Sequence, residues 1–352
     1  MKQIKYKSMG NRSLFDDEER KNQLSKLGNP LQRLSKIVDF EIFRGELEDI
    51  LLNKDKDYRK GGARPYDVVM IFKLLIIQQF YNLSDDQMEY QLTDRLSFRN
   101  FLGLDSGDKI PDAKTIWLYN DRMSKSGGTQ RMFDKFAKYL NDKGFYLNAG
   151  QMIDASFVEV PRQRNTREEN KMIKEGKGDE LWQDNPHKKC QKDIDARWTK
   201  KNNQVYYGYK NHTKDDTGTK LMKKYAITNA AVHDSQETEA LIDKQDTGQD
   251  LFADSAYVGQ TIAKALEEKG IGNKINKKAY KGAPLTKEEQ SENRLKSKIR
   301  ARVEHIFGFM EMSLHKMYSR RIGFVRNSNV IGMMNLIYNM FRYEQLLRYA
   351  RK

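Results

Sequence analysis

Three acidic residues stand where carboxylates could do metal-dependent chemistry. Asp154 and Asp254 interrupt or end short apolar runs of the kind that form buried strands. Glu304 lies instead on a basic stretch with helical spacing of its apolar residues. Carboxylates on core strands and an adjoining helix can converge on two divalent metal ions, the arrangement used for phosphodiester chemistry. Because the chain also carries a net charge of +15, we expect an enzyme that cuts and joins nucleic acid.

The three acids are far apart in sequence, since 100 residues separate Asp154 from Asp254 and 50 separate Asp254 from Glu304. A shared site could therefore form only in a folded domain. Each acid could instead be a turn residue, a helix cap or a surface charge, because Asp is common at strand ends. All three stand on elements that one fold could bring together, which favours the catalytic interpretation.

Basic residues accompany the third acid. Arg300 lies four residues before Glu304, so on a continuous helix the two would share a face. A simple helical ion pair is one interpretation. The other is that Arg300 contacts a DNA phosphate beside the metal site, with Lys298 and Arg302 as further candidates for DNA contact.

A second basic segment, from Asp193 to Lys201, is predicted to be a loop before the second strand. Basic side chains interleaved with an aromatic ring suit a DNA end, through phosphate pairing and base stacking. Lys200, Lys201 and Trp198 are therefore candidate DNA-binding residues, although Trp198 could equally be a core anchor. Lys210, on the following strand, is expected to face the same cleft.

The composition excludes several classes of protein. The most apolar stretch, Val68 to Phe80, is interrupted by polar residues and is too short for a membrane span, so it predicts a buried helix. No apolar segment follows the first lysines, so we expect no secretory signal. A single cysteine, Cys190, excludes an intramolecular disulfide and a cysteine-based zinc cluster, which fits a reducing cytoplasm. The five histidines lack zinc-ligand spacing, and His212 is the alternative to Lys210 as the residue that faces the cleft.

The positive charge is unevenly distributed, and the pI is about 9.5. Residues 281–352 contain 15 Lys and Arg against 6 Asp and Glu, and residues 161–224 contain 17 against 10. Both segments flank the three acids. This distribution favours a polyanionic partner over a generic solvated surface.

The periodicity changes near Phe145. Residues 1–145 are predicted to be an all-helical domain for DNA binding and dimerisation, within which 83–102 followed by 114–122 could hold a helix-turn-helix. Residues 146–316 are predicted to be an α/β domain, with a basic insertion around 161–203 and the β-β-β-α-β-α-β-α order of a ribonuclease H-like fold with a mixed five-stranded sheet. Residues 317–352 are expected to form a helical segment that packs on the core.

Several boundaries of these elements can be predicted. The first expected strand covers 145–147 and 150–154, and the other expected strands cover 204–212, 221–232, 249–254 and 271–276. The expected helices include a leucine stripe over 24–37, a helix over 41–52, a helix that has Pro65 in its first turn, a capping box from Ser84 to Gln87 and a long helix over 286–314.

Motifs of specific composition are spread over almost the whole chain. In the N-terminal part they occupy 64–66, 79–89 and 110–116. In the second part they are Ile153-Asp-Ala-Ser156, the segment 195–201, Gly208-Tyr-Lys-Asn-His212, Ala253-Asp-Ser-Ala-Tyr257 and the segment 298–308. Together these motifs resemble the DDE transposases of bacterial insertion sequences, in the insertion-sequence family five group (InsH-like).

The resemblance implies that Asp154, Asp254 and Glu304 are a catalytic triad that binds two Mg²⁺ ions, for which Mn²⁺ could substitute. It also implies recognition of the terminal inverted repeats of an element, cleavage at its ends and transfer of the 3′-hydroxyls into target DNA. The implied partners are double-stranded DNA, as element ends and target, and further copies of the chain in a homodimer or larger synaptic complex. The implied location is the bacterial nucleoid, with no membrane association.

One departure from the resemblance concerns the residues around the last acid. Related transposases carry a Tyr, Arg, Glu, Lys signature there, whereas this chain has Ser297 at the Tyr position and Glu311 at the Lys position, with Lys316 further on. The alternatives to a transposase are a nuclease of the same fold that cuts without joining, a transposase-derived DNA-binding regulator without catalysis, and a structural nucleoid protein.

Overall fold

The computed structural model describes residues 16–53, 64–105, 107–201, 203–314 and 317–350. Within these ranges, helices alone precede the first strand. These helices are α1 (Asp16–Lys26), α2 (Pro30–Ile37), α3 (Arg44–Leu51), α4 (Val68–Phe80), α5 (Asp85–Asp94), α6 (Leu96–Leu102), α7 (Ala113–Lys125) and α8 (Gly128–Asp142).

Strands and helices alternate in the rest of the described chain. In order they are β1 (Gln151–Glu159), α9 (Arg167–Lys174), α10 (Pro186–Cys190), β2 (Arg197–Lys201), β3 (Gln204–Asp216), β4 (Met222–Asn229), α11 (Thr238–Leu241), β5 (Asp250–Phe252), α12 (Gln260–Glu268), β6 (Gly272–Asn273), α13 (Lys287–Arg300), α14 (Glu304–Ser313) and α15 (Phe324–Ala350).

The longest strand, β3, organises a six-stranded mixed sheet. Its second half lies between β1 and β4 and is antiparallel to both, while its first half pairs with β2. On the other side of β1, the strands β5 and β6 continue the sheet in parallel. The strand β1 is therefore central, with the antiparallel strand β3 on one side and the parallel strand β5 on the other.

The predicted number of five strands was wrong by one, because Arg197–Lys201 is a strand and not the end of a basic loop. None of its residues is buried, and the segment lacks the apolar alternation by which strands are predicted from sequence. Its backbone hydrogen bonds come from an antiparallel ladder with Gln204–Gly208, the part of β3 that extends beyond β4.

Three helix boundaries also differ from the prediction. The leucine stripe forms two helices, because Gly28 ends one with a positive φ and Pro30 begins the next. The side chain of Asp67, two residues after Pro65, caps α4 by accepting the amides of Val69 and Met70. By contrast, the Ser84 capping box and the buried helix over Val68–Phe80 are confirmed.

The third difference lies next to a candidate site residue. The expected helix over 286–314 is divided into α13 and α14 by a 3₁₀ turn at Ala301–Val303. Arg300 therefore ends one helix and Glu304 begins the next, so the two residues do not lie one turn apart on a continuous α-helix.

One apolar core joins the helical part of the chain to the sheet. It includes residues of α2 to α8, Met152 of β1, Met222 of β4 and much of α14 and α15. The helix α15 contacts α4, α7, α8 and β4, and its Asn335 exchanges side-chain hydrogen bonds with Asn211 of β3. The opposite face of the sheet packs on a smaller core that contains Ile153, Leu241 and Leu266. No helix in the described ranges combines the length and apolar character needed to cross a membrane.

Candidate active site

The register between β1 and β5 brings two of the predicted acids together. Gln151 lies opposite Leu251 and Met152 opposite Phe252 in a parallel pair. In the same register Asp154 and Asp254 lie side by side, at the point where β5 has ended. Side chains alternate along extended chain, and Asp254 keeps extended dihedral angles, so both carboxylates lie on the Met152 face of the sheet.

Asp154 is buried and held by specific partners. Its Oδ2 accepts a hydrogen bond of 2.7 Å from Arg300 Nη1, and its Oδ1 accepts one of 2.8 Å from the backbone amide of Ala155. Burial raises the pKa of Asp154, and the nearby carboxylate of Asp254 raises it further. The Ala155 amide and the Arg300 guanidinium oppose this rise without cancelling it.

Asp254 is half-buried and caps a short turn. Its side chain accepts the amide of Ala256 at 2.7 Å, at the start of the 3₁₀ turn Ser255–Tyr257. The hydroxyl of Tyr257 is buried, and burial raises the pKa of this phenol, as do the carboxylates of Asp154, Asp234 and Asp254.

Glu304 is placed differently. It is the first residue of α14 and its side chain is exposed. Across the described part of the chain, no group of three His, Cys, Asp or Glu side chains is arranged to hold a metal ion. The neighbouring carboxylates Asp154 and Asp254 have the donor chemistry that a hard divalent cation requires. A role for Glu304 in completing that site stays a prediction.

The predicted DNA-binding residues of the β2–β3 hairpin are accessible. Lys200 and Lys201 are exposed, and the Lys201 ammonium lies 5.8 Å from the ring centroid of Phe157. Trp198 is 45% exposed and packs at 4.7 Å, centroid to centroid, against Tyr207. One part of the indole is thus anchored in the protein while the other faces solvent. Lys298 on α13 is also exposed.

Other predicted DNA-binding residues are engaged within the protein. The Nζ of Lys210 is buried and lies 2.8 Å from Asp234 Oδ1 and 2.6 Å from the carbonyl oxygen of Val232. Arg302 donates to the carbonyl of Thr217 at 2.6 Å, although part of its side chain is exposed. His212 is fully buried, so it does not face a cleft. These contacts do not favour a role for Lys210 in binding DNA.

A fourth acid, Asp215, lies near Asp154 and was not predicted from the sequence. Thr213 of β3 pairs directly with Asp154, and its hydroxyl donates to Asp215 Oδ2 at 2.8 Å. Asp215 is fully buried, and burial raises its pKa well above the usual range, with further contributions from Asp154 and Asp216. The polar run 213–216 resembled a solvated loop after a strand, so the sequence offered no signal for burial.

Comparison with known protein families gives two matches. Residues 149–340 match the transposase DDE domain, and residues 18–122 match a second transposase domain, DUF772. The first match covers more than half of the chain, so this chain belongs to the transposase DDE domain family. The predicted transposase class is confirmed.

Among solved structures, the chain is similar to the piggyBac transposase in a cryo-EM structure of its synaptic complex with hairpin DNA. The two chains are 12% identical, and their TM-score is 0.45. The superposition covers 94% of this chain and 77% of the piggyBac chain.

Proposed function

We propose that this protein is a DNA transposase of the insertion-sequence family five group, which binds the terminal inverted repeats of its element, cleaves the element ends and joins the 3′-hydroxyls to target DNA. Membership of the transposase DDE domain family supports the class of enzyme. The proposed site is supported above all by the positions of its two aspartates. Asp154 and Asp254 lie side by side on the same face of the sheet, because β1 and β5 are adjacent parallel strands.

A ribonuclease H-like fold is part of this proposal. The sheet order β4-β3-β1-β5-β6, with β3 antiparallel to a central β1, supports it. Asp154 lies on the central strand β1, and Asp254 directly follows its parallel neighbour β5, which supports their assignment as the first two acids. The strand β2 and helices α9 and α10 then form the basic insertion.

Asp154 and Asp254 would hold two Mg²⁺ ions, or Mn²⁺ in their place, with Glu304 completing the second metal site. Divalent ions bound there would activate the attacking water or 3′-hydroxyl and stabilise the departing oxygen. The two aspartates of this chain would fix the position of the ions on the rigid sheet. Arg300, which contacts Asp154, would then be next to the scissile phosphate.

The DNA path is proposed from accessible cations. Lys200 and Lys201 on the β2–β3 hairpin and Lys298 on α13 are exposed, and Lys201 is close enough to Asp154 to lower its pKa slightly. Ion pairing of lysines with phosphates releases counterions and makes binding depend on salt. The exposed edge of Trp198 would stack on a base at the DNA end. Further copies of the chain would bridge both ends in a dimer or larger complex.

A second candidate function is a transposase-derived regulator that binds DNA without cleaving it. Two observations favour it: Glu304 is not grouped with the other acids, and Arg300 occupies an oxygen of Asp154. A regulator of this kind would bind the element ends but would not cleave them in Mg²⁺ or Mn²⁺.

Joining activity tests the proposed function against both a simple nuclease and this regulator. The substrate would be a labelled duplex that ends at the element boundary with a free 3′-hydroxyl, mixed with target DNA and Mg²⁺. We expect joined products from the wild-type chain and none from Asp254→Ala. Products that lack joined strands but show cut target DNA would indicate a nuclease.

A further inference from the structure

A third polar side chain lies level with the two aspartates. In the parallel pair of β5 and β6, Leu251 lies opposite Asn273. The backbone hydrogen bonds continue beyond this pair, from the amide of Lys274 to Leu251 at 2.9 Å and from the amide of Asn276 to Ala253 at 3.0 Å. This register places Asn276 beside Asp254, as Asp254 lies beside Asp154.

Asn276 also lies on the same face of the sheet as the aspartates. Its neighbour Ile275 packs in the smaller core with Ile153, and side chains alternate along an extended segment. On the face that carries the aspartates, opposite to the smaller core, the Nδ2 of Asn276 donates a hydrogen bond of 3.0 Å to Ser297 Oγ of α13. The row Asp154, Asp254, Asn276 therefore lies under α13.

The helix α13 connects the two ends of this row. Ser297 and Arg300 are three residues apart and lie on one side of the helix. Ser297 contacts Asn276 at one end, while Arg300 contacts Asp154 at the other. Asp254 lies between them on the sheet, so α13 runs across the whole row.

The amide oxygen of Asn276 has no partner in the described part of the chain. Its Oδ1 is buried and accepts no hydrogen bond from the described residues. A buried polar atom without a hydrogen-bond partner is destabilising. Ser297 engages the NH₂ group of the amide, so the oxygen is the end left free for another ligand.

We propose that Asn276 supplies an oxygen ligand to one of the two divalent cations that Asp154 and Asp254 would hold. Carboxylate and amide oxygens are preferred ligands of hard divalent cations. A neutral amide adds a ligand without adding charge to the site. The inference rests on the proposed function, because it assumes that the two aspartates bind metal.

The same contact gives a role to Ser297, which stands where related transposases have a tyrosine. Its hydroxyl accepts from the Asn276 amide and fixes the direction of the amide oxygen. Ser297 is therefore a positioning residue, and its replacement by alanine should weaken metal binding less than replacement of Asn276.

Mn²⁺ binding to the full chain, measured by electron paramagnetic resonance, tests this inference without relying on activity. We expect Asn276→Leu to weaken Mn²⁺ binding by at least roughly tenfold, the scale for loss of groups around a metal. Asn276→Asp should bind as tightly as the wild type or more tightly, because it keeps an oxygen and adds negative charge. This second variant tests the inference even where the leucine variant does not fold.

Asn293→Ala is the matched control, since Asn293 fixes α13 to the backbone of Lys277 through two hydrogen bonds of 2.9 Å but lies outside the row. Its Mn²⁺ affinity should equal that of the wild type. Wild-type affinity in Asn276→Leu, together with loss of binding in Asp254→Asn, would overturn the role of Asn276 while leaving the aspartate site intact. Absence of Mn²⁺ binding by the wild type, or wild-type binding in both Asp154→Asn and Asp254→Asn, would overturn the proposed metal site itself and Asn276 with it.

Discussion

Arg300 forms an ion pair with Asp154, in which Nη1 of the guanidinium lies 2.7 Å from Oδ2 of the carboxylate. The Nε of Arg300 is buried and has no hydrogen-bond partner among the described residues. A divalent cation at Asp154 would have to share or displace the guanidinium. The Arg300 guanidinium is thus a competitor of the metal until another anion, such as a DNA phosphate, draws it away.

Removal of Arg300 should therefore increase metal affinity. At pH 8 we expect Arg300→Gln to bind Mn²⁺ several-fold more tightly than the wild type, because the carboxylate of Asp154 loses its competing cation. Titration of Mn²⁺ measures this change. Arg302→Gln is the control, since Arg302 donates to the carbonyl of Thr217 instead. Weaker binding in the Arg300 variant would show that the guanidinium supports the metal site.

The raised pKa of Asp154 gives a prediction for stability. Burial raises this pKa in the folded state, so the contribution of Asp154 to stability is greatest at acid pH and is lost as the pH rises through the raised value. We expect Asp154→Asn to be more stable than the wild type at pH 8 without metal, and the difference to shrink as the pH falls towards the ordinary range of an aspartate. Urea denaturation at several pH values tests this. A constant difference across the pH range would contradict it.

The buried His212 predicts acid sensitivity of the fold. Burial lowers the pKa of His212 from 6.5 to about 4, so its neutral form is favoured in the folded state. Its contribution to stability is therefore present above pH 6.5 and is lost as the pH falls towards 4, by about 3 kcal/mol in total. Urea denaturation of His212→Gln should show a shallower decline over this range than the wild type. Identical declines in the two proteins would rule out His212 as the cause.

Two lysines should behave oppositely. Lys210→Met leaves Asp234 buried without its partner, so we expect a loss of about 3–5 kcal/mol in the free energy of unfolding.

Lys200→Ala should leave stability unchanged, because Lys200 is exposed, but should reduce the salt dependence of DNA binding by about one unit of slope. Denaturation and salt titration of DNA binding, each done on both variants, separate these effects. A change in salt slope for a folded Lys210→Met variant would restore Lys210 as a DNA contact.

Much of the candidate site could be predicted because strands leave a clear pattern. Asp154 and Asp254 follow or interrupt short apolar runs, and those runs form β1 and β5. Their side-by-side placement depends on the register of two strands that are distant in sequence, which no local pattern specifies.

Other features depend on contacts that form only in the folded chain. The turn Ala301–Val303 interrupts a segment whose composition is helical throughout, so the relation between Arg300 and Glu304 was not predictable. The strand β2 needs the free half of β3 as its partner. Asn276 resembled an ordinary residue at a strand end, since asparagine is common there, until its register with Asp254 was known.

The most direct test of the central claim is cleavage of an element end by the wild type and by Asp154→Asn. The assay would use a labelled duplex that carries the element's own end, with Mg²⁺, and would measure the release of a 3′-hydroxyl at the element boundary and the binding of the same duplex. We predict that Asp154→Asn abolishes cleavage and still binds the end. Normal cleavage by this variant would contradict the assignment of Asp154 to the catalytic site.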